Sequence, residues 1–488
     1  KCEMYGHLEF RCSYLQTHLS LDNFLKQMNV ENKKIAGYDY DKLRWPWTPL
    51  TDFELSYGMN DVIGLVQAIE KRMTLYGDDL YSIPLTSTGY VRREAKKAMR
   101  RIPHTVIPSI FPSIDQYIMF REAFRGGNTH ANRYYSGMKL LNIRSADRSS
   151  SYPDVMVNCK FPVSRFKPVP DCSYDNIYHQ IFERGKAMIM RVALSNVSLI
   201  DPMWGCPYLS KDKSRKIENG VYDNGRILSA DYMETTITDI DLRIIIEEYQ
   251  CDVQIIEAQQ ARYGKLPQPL IDLIIKLYKD KTELKGVEGE EAFYLLSKEM
   301  INACYGMMAQ DPVKQSIDYE NDWSEMNDDP AELLDKARKK AFLVYQWGVW
   351  VTAWARYRLE EGIRNVGWRF IYADTDSVKY LDVDGVSWED YNNERISAST
   401  EAGAYAKDPK GITHYMGVFE DEGIYSEFAT LGAKKYVYRE GDGPLHVTIS
   451  GVNKKKGGPE LEAHGGIGAF CKRDMIFREA GGTEIKYN

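Results

Sequence analysis

Apolar positions recur along this chain with two periods, and together they mark out helical and extended segments. Behind the capping box Thr51-Asp52-Phe53-Glu54, a stripe of Leu55, Met59, Val62, Val66, Ile69 and Met73 predicts a long amphipathic helix. Leu270, Leu273, Ile274 and Leu277 predict a second helix between Pro267 and Gly286; after a Gly-containing break, a third carries Glu291 to Tyr305. Trp347 to Glu361 reads as a buried helix. Extended character appears in Leu8-Glu9-Phe10-Arg11, in Leu140-Leu141-Asn142-Ile143 and in Lys434-Lys435-Tyr436-Val437-Tyr438. Residues 165–262 mix strands and helices. Residues 76–115, punctuated by Pro84, Gly89, Pro103, Pro108 and Pro112, predict a turn-rich basic linker. The clearest pattern is a hairpin: Phe370, Ile371 and Tyr372 lead into Asp374-Thr375-Asp376, and Val378 and Tyr380 lead out, so buried arms flank an acidic tip.

Composition narrows the class. A chain of 488 residues with 43% hydrophobic content has room for about two to four domains. The cysteines at 2, 12, 159, 172, 206, 251, 304 and 471 form no Cys-X-X-Cys pair and have no close histidine, which predicts reduced thiols and no zinc site. No run approaches 18 uncharged apolar residues, so a soluble, cytoplasmic protein with no membrane partner is expected. The net charge of −7 does not favour nucleic acid as a partner, yet the cations cluster. They gather at Arg92 to Arg101, at Lys211, Lys213, Arg215 and Lys216, at Arg338 to Lys340, and at Lys454 to Lys456, a distribution that suits a local duplex track.

Two carboxylates one residue apart repel each other unless a cation neutralises them, so Asp374 and Asp376 call for a hard divalent ion, Mg²⁺ or Mn²⁺. Two further stretches lie upstream. Ser145-Ala146-Asp147-Arg148-Ser149-Ser150-Ser151-Tyr152-Pro153 supplies another aspartate. In Lys298-Glu299-Met300-Ile301-Asn302-Ala303-Cys304-Tyr305-Gly306, the residues Lys298, Asn302 and Tyr305 share a helical face. A cation, an amide and a ring on one face are what a nucleoside triphosphate needs.

These three stretches resemble motifs A, B and C of family B DNA polymerases, and the chain is most similar to the protein-primed phage branch. Phe124-Arg125-Gly126-Gly127 is similar to the branch's Tyr-X-Gly-Gly element, with Phe in place of Tyr, and Lys434-Lys435-Tyr436 to its Lys-X-Tyr element. Gly348 to Tyr357 is a further match. Motif A departs from the family pattern by carrying Ser151 where Leu is usual. The resemblance implies an α/β (α+β) right-hand fold with palm, fingers and thumb and a partial RNase H-like exonuclease domain. Its implied divisions are 1–115 exonuclease and linker, 116–164 palm, 165–262 insertion and palm, 263–313 fingers, 314–342 second insertion, 343–430 palm and 431–488 thumb.

The resemblance further implies two-metal nucleotidyl transfer, with Asp147, Asp374 and Asp376 as catalytic metal ligands and no obligatory side-chain general base. Tyr152, Lys281, Lys298, Asn302 and Tyr305 would bind the nucleotide, with Tyr152 colliding with a 2′-hydroxyl. Arg125, Gly126, Gly127, Lys434 and Tyr436 would meet DNA. Primer-template DNA, deoxyribonucleoside triphosphates and a priming terminal protein are the implied partners, in a phage or mobile element replicating in a bacterial cytoplasm. Tyr57 and Asp61 resemble the third exonuclease motif, but upstream of the Asp52-Phe53-Glu54 capping box there is no partner Asp-X-Glu, so this chain is expected to polymerise without proofreading. A nuclease centred on Asp61 and a catalytically silent nucleic-acid-binding relative stay open as alternatives.

Overall fold

The computed structural model describes residues 2–4, 8–314, 317–319, 323–325, 328–383, 385–472, 475–478 and 484–487. The chain divides into two compact units, one of residues 1–101, 272–307 and 406–414, the other of residues 102–271, 308–405 and 415–488.

The second unit is built on a seven-stranded sheet ordered His446–Ile449, Lys435–Arg439, Phe419–Gly432, Leu140–Arg148, Ser377–Leu381, Phe370–Asp374, Thr129–Ala131, with every neighbouring pair antiparallel. The predicted acidic hairpin is the pair Phe370–Asp374 and Ser377–Leu381. Its arms are buried on both faces. Phe370, Ala373, Val378 and Tyr380 pack with Leu359, Ile363 and Phe419, while Ile371 and Tyr372 pack with Ile143, Tyr425 and Phe428. Burial on both sides explains an unbroken apolar run where a half-exposed strand would alternate.

The predicted buried helix spans Tyr345–Val366. Trp347 and Trp350 are fully buried, and their indole N–H groups donate to Pro162 O at 2.9 Å and Tyr263 Oη at 2.8 Å, so neither polar atom is left bare. Residues 165–262 contribute to a second sheet ordered Phe161–Pro162, Tyr249–Gly264, Lys186–Leu199, Arg226–Thr238, Ser214–Glu218. The helix Asp239–Glu248 begins beside it with a capping box between Thr238 and Asp241. Near the C-terminus, helices Lys454–Ala463 and Gly466–Cys471 share a core with the strands, through Val437, Val447, Leu461 and Phe470. Parts of the expected second insertion (315, 316, 320–322, 326, 327) and thumb (473, 474, 479–483, 488) lie outside the described residues.

The first unit departs from expectation twice. The helix Asp52–Tyr76 forms with its capping box, but Leu55, Met59, Val62 and Val66 of the apolar stripe are about half exposed or more, and the buried face carries Tyr57, Gly64, Ala68 and Arg72. The reason is size. Gly64 has no Cβ, and one built there would stand 2.8 Å from Asn32 O and 2.9 Å from Leu25, so the small-residue face admits the neighbouring segment most closely. The supposed linker is also helical, over Ser87–Met99 in this unit and over Val106–Ile110 in the second. Val91, Ala95 and Met99 repeat every four residues and are buried, which a reading based on prolines and charge overlooked.

Candidate active site on the central sheet

Asp147 is the penultimate residue of the Leu140–Arg148 strand, and pairing sets it opposite Ser377 on one side and Glu420 on the other. The hairpin tip carries Asp374, Thr375 and Asp376, all half-buried. Thr375 turns the chain at φ 62°, a left-handed conformation costly for a β-branched residue, and the Asp376 N–H donates to Asp374 O at 2.6 Å. Surrounding groups hold this turn in place. The Thr375 N–H donates to Asn128 O at 2.7 Å, the Arg148 N–H donates to Asp376 O at 2.8 Å, and Thr129 Oγ1 donates to Asp374 Oδ1 at 3.0 Å. Arg148 in turn is locked by its buried ion pair with Asp154. Asp147 and the Asp374-Thr375-Asp376 tip are therefore positioned by one hydrogen-bonded framework.

The carboxylates crowd one another. Burial, and then the charge of Asp376, pushes the Asp147 carboxyl up to about 7. Burial and then Asp374 push Asp376 up to about 6. Glu422, whose carboxylate accepts from Ser145 Oγ at 2.8 Å, adds to both effects. Two cations temper the charge. Lys434, at φ 58° between its strands, forms an ion pair with Asp374. The buried Lys379 ammonium donates to Ser377 Oγ at 3.1 Å; burial lowers its pKa, against the opposing pull of Glu422, Asp147, Asp374 and Asp376.

Among the described residues no three His, Cys, Asp or Glu side chains stand arranged as a ready-made metal site. The donor set at the hairpin consists of carboxylate oxygens, two of them driven toward protonation by burial and then by crowding, and this chemistry fits a hard divalent cation.

Gly127 lies directly against the tip: a Cβ there would meet Thr375 Cγ2 and Oγ1 at 2.8 Å, whereas one on the exposed Gly126 would meet nothing within 4 Å. Arg125 requires correction as a DNA-contacting residue. Its side chain is 10% exposed and its guanidinium is spent on Ala123 O at 3.0 Å, Thr236 O at 2.9 Å and Thr235 Oγ1 at 2.8 Å. Lys434 points to Asp374, and Tyr436 is half-buried, its ring 4.9 Å from that of Tyr372 and 5.7 Å from that of Phe428.

The glycine loop is held by a residue to which sequence reading gave no role. Arg356 donates to Arg125 O at 2.6 Å, Gly126 O at 3.1 Å, Tyr208 Oη at 2.7 Å and Asp241 Oδ1 at 2.7 Å. Burial raises the Asp241 carboxyl, but Arg356 and Arg125 outweigh it and hold it at about 2. Arg356 and Lys379 both sit inside apolar runs, and a charge in such a run is the signal that could have found them.

Tyr152 lies half-buried in the first turn of the helix Ser151–Asn158, after Ser150 turns the chain at φ 49°. The other nucleotide-binding candidates belong to the first unit. Lys298 and Asn302 are exposed and Tyr305 is half-buried on the helix Glu291–Met308, while Lys281 sits 5.9 Å over the Tyr278 ring. In the same unit Tyr57 is buried with its hydroxyl bonded to that of Tyr40, and Asp61, one turn on, has a buried Oδ1 with no hydrogen-bond partner among the described residues.

Residues 10–392 match the family model described as DNA polymerase type B, organellar and viral. The DNA polymerase of Bacillus phage Nf is 26% identical over 391 residues, and that of Bacillus phage phi29 is 24% identical over 387. Each alignment takes in 74% of this chain, and the chain spans 60% of the length of these curated relatives. Among solved structures, phi29 DNA polymerase complexed with primer-template DNA and incoming nucleotides shares the fold with a TM-score of 0.70 at 20% identity, covering 97% of this chain and 77% of that one. No helix among the described residues is long and apolar enough to cross a membrane. With the family model matching well over half its length, the chain belongs to the type B DNA polymerases of the organellar and viral group, similar to the phi29-type phage enzymes.

Proposed function

We propose that this chain is a template-directed DNA polymerase that adds deoxyribonucleotides to a primer 3′-hydroxyl. The single observation carrying the proposal is the register that brings Asp147 beside the Asp374-Thr375-Asp376 tip, with the Arg148 N–H bonded to Asp376 O. Asp147, Asp374 and Asp376 are the residues that would hold Mg²⁺ or Mn²⁺. When bound, such cations acidify the 3′-hydroxyl and neutralise charge that builds on the triphosphate. The remaining work belongs to the chain itself. The hairpin hydrogen bonds keep the carboxylates fixed, Lys379 and Lys434 balance their charge, and Tyr152 packs under the incoming sugar and excludes a 2′-hydroxyl.

In this reading the seven-stranded sheet is the palm, 263–313 are the fingers, whose Lys281, Lys298, Asn302 and Tyr305 are the nucleotide-binding candidates, and 431–488 form the thumb. Residues 165–262 and 314–342 are the insertions of the protein-primed branch, and a priming terminal protein is the partner of the first. Primer-template DNA and incoming nucleotides are the substrates, as in the solved phi29 ternary complex. The phage relatives point to action in a bacterial cytoplasm. Proofreading is not part of this proposal, because Tyr57 and Asp61 supply one carboxylate where a two-metal hydrolytic site needs several.

The test is extension of a labelled primer on a defined template with Mg²⁺ and one nucleotide at a time. Addition of only the complementary deoxynucleotide is expected. Binding of the primed template with no addition under any divalent ion would favour the silent relative.

A further inference from the structure

The glycine loop beside the acidic hairpin poses a charge problem. It is open at Gly126, yet both arginines nearest it are occupied: Arg125 with Thr235 and Thr236, and Arg356 with the loop carbonyls and Asp241. A strand of nucleic acid crossing the loop would find neither of these guanidiniums available.

Lys213 supplies the missing charge. It ends the short turn Lys211–Lys213 that leads into the strand Ser214–Glu218 of the second sheet, and it is half-buried. Among the described residues its ammonium makes no hydrogen bond or ion pair, and its strongest electrostatic neighbours are Arg125, Arg121 and Arg356. Thr235 ties it to the loop, since its hydroxyl donates to Lys213 O at 2.8 Å while accepting from Arg125 Nη2 at 2.8 Å. Lys213 also lines a cleft of about 240 Å³ with Glu122, Arg191, Arg215 and Glu234. The acids of that cleft are largely engaged. Glu122 accepts from Arg191 at 3.1 Å, Arg215 at 3.0 Å and Thr236 at 2.8 Å, and Glu234 pairs with Lys216 at 2.8 Å. Asp212 is the carboxylate next to Lys213 in sequence, and it forms no ion pair with it.

Resting on the polymerase reading above, we propose that Lys213 binds one backbone phosphodiester of the nucleic-acid strand that passes the Gly126–Gly127 loop. An anion there meets a cation without breaking an existing pair, and the flanking guanidiniums deepen the potential. Burial and the neighbouring arginines lower the Lys213 pKa, a penalty that a bound phosphate relieves. A lysine suits the role because a single phosphate oxygen needs a point charge and no bidentate fork. Phosphate contacts of this kind carry affinity and register, and no sequence information.

The experiment is fluorescence anisotropy of a labelled primer-template with the full chain, as wild type, Lys213→Ala and Lys213→Arg, across a salt series. Lys213→Ala is expected to weaken binding about three- to tenfold at 0.1 M salt and to reduce the slope of log K against log salt by about one, with Lys213→Arg close to wild type. Circular dichroism of the three proteins should coincide. Unchanged affinity and slope in Lys213→Ala, while wild type binds well, overturns the phosphodiester assignment and leaves the polymerase reading standing. A loss of affinity with an unchanged salt slope also overturns it, since a structural defect removes no counterion-releasing contact. Wild type that binds no primer-template at any salt overturns the polymerase reading and this proposal together.

Discussion

Adding one methyl group at Gly127 should slow the chemical step without weakening DNA binding. A Cβ at this position would lie 2.8 Å from two side-chain atoms of Thr375 and 3.0 Å from its Cβ, and ordinary contact begins near 3.4 Å, so the tip must retreat by about 0.6 Å. Gly127 does not have a positive φ, so alanine is acceptable to its backbone and the effect is steric. Thr375 cannot easily swing away, because its hydroxyl donates to Asp374 Oδ1 at 3.1 Å and its N–H to Asn128 O at 2.7 Å. The displacement therefore passes to Asp374 and Asp376. Overpacking of this kind costs on the order of 1 to 3 kcal/mol. A 1 Å misplacement of reacting groups costs about a hundredfold in rate, so a shift of about 0.6 Å corresponds to about tenfold. The assay is single-turnover nucleotide addition at saturating primer-template. Gly127→Ala should lose about tenfold in rate with DNA affinity near wild type. Gly126→Ala, open at its Cβ, should keep the rate at saturation and show any defect in DNA affinity. Thr375→Gly removes the opposing atoms and suits the φ of 62°, so it should restore much of the rate to Gly127→Ala. A Gly127→Ala rate equal to wild type, or no rescue by Thr375→Gly, would refute the claim that the loop buttresses the tip.

Three further outcomes are expected. Replacing Arg356 with Met strands the buried Asp241 carboxylate and frees the loop carbonyls, which should cost about 3 to 5 kcal/mol by chemical denaturation, with the Arg356→Met/Asp241→Leu pair losing less than the single change. Glu360 and Glu248 share a buried site near Arg226 and Arg364; burial raises Glu248 well above its usual range and Glu360 to about 7. A carboxyl raised on folding stabilises the protein below about pH 4.5 and loses that contribution as pH climbs to 7, so Glu360→Gln should flatten the melting-temperature profile over that window and gain roughly 2 to 3 kcal/mol at pH 8. Tyr152→Val should raise incorporation of ribonucleotides relative to deoxyribonucleotides, and an unchanged ratio counts against a steric gate.

The acidic hairpin was legible because its physical signal is local: an apolar run on both sides of two carboxylates has few other solutions. The helices Gln268–Glu283, Glu291–Met308 and Tyr345–Val366 were legible for the same reason, each carrying its own periodicity. What failed depended on partners distant in sequence. Arg125 reads as a free cation until Thr235 and Thr236, more than a hundred residues away, take its guanidinium. The exposed stripe of the Asp52–Tyr76 helix reads as core because bulk is visible in a sequence, while the close approach permitted by Gly64 is not. Arg356 and Lys379 lie within the motif stretches, yet their roles come from Asp241 and Glu422, which no local spacing connects to them.

The most direct test of the central claim is rapid-quench measurement of a single complementary nucleotide addition in Mg²⁺ by wild type, Asp147→Asn and Asp376→Asn, with primer-template affinity measured in parallel. The account predicts addition by wild type, loss of at least about a thousandfold in each variant, and DNA affinity retained, because these carboxylates serve the reacting phosphate and not the duplex. Nucleotide addition by either variant at a rate near wild type would contradict it.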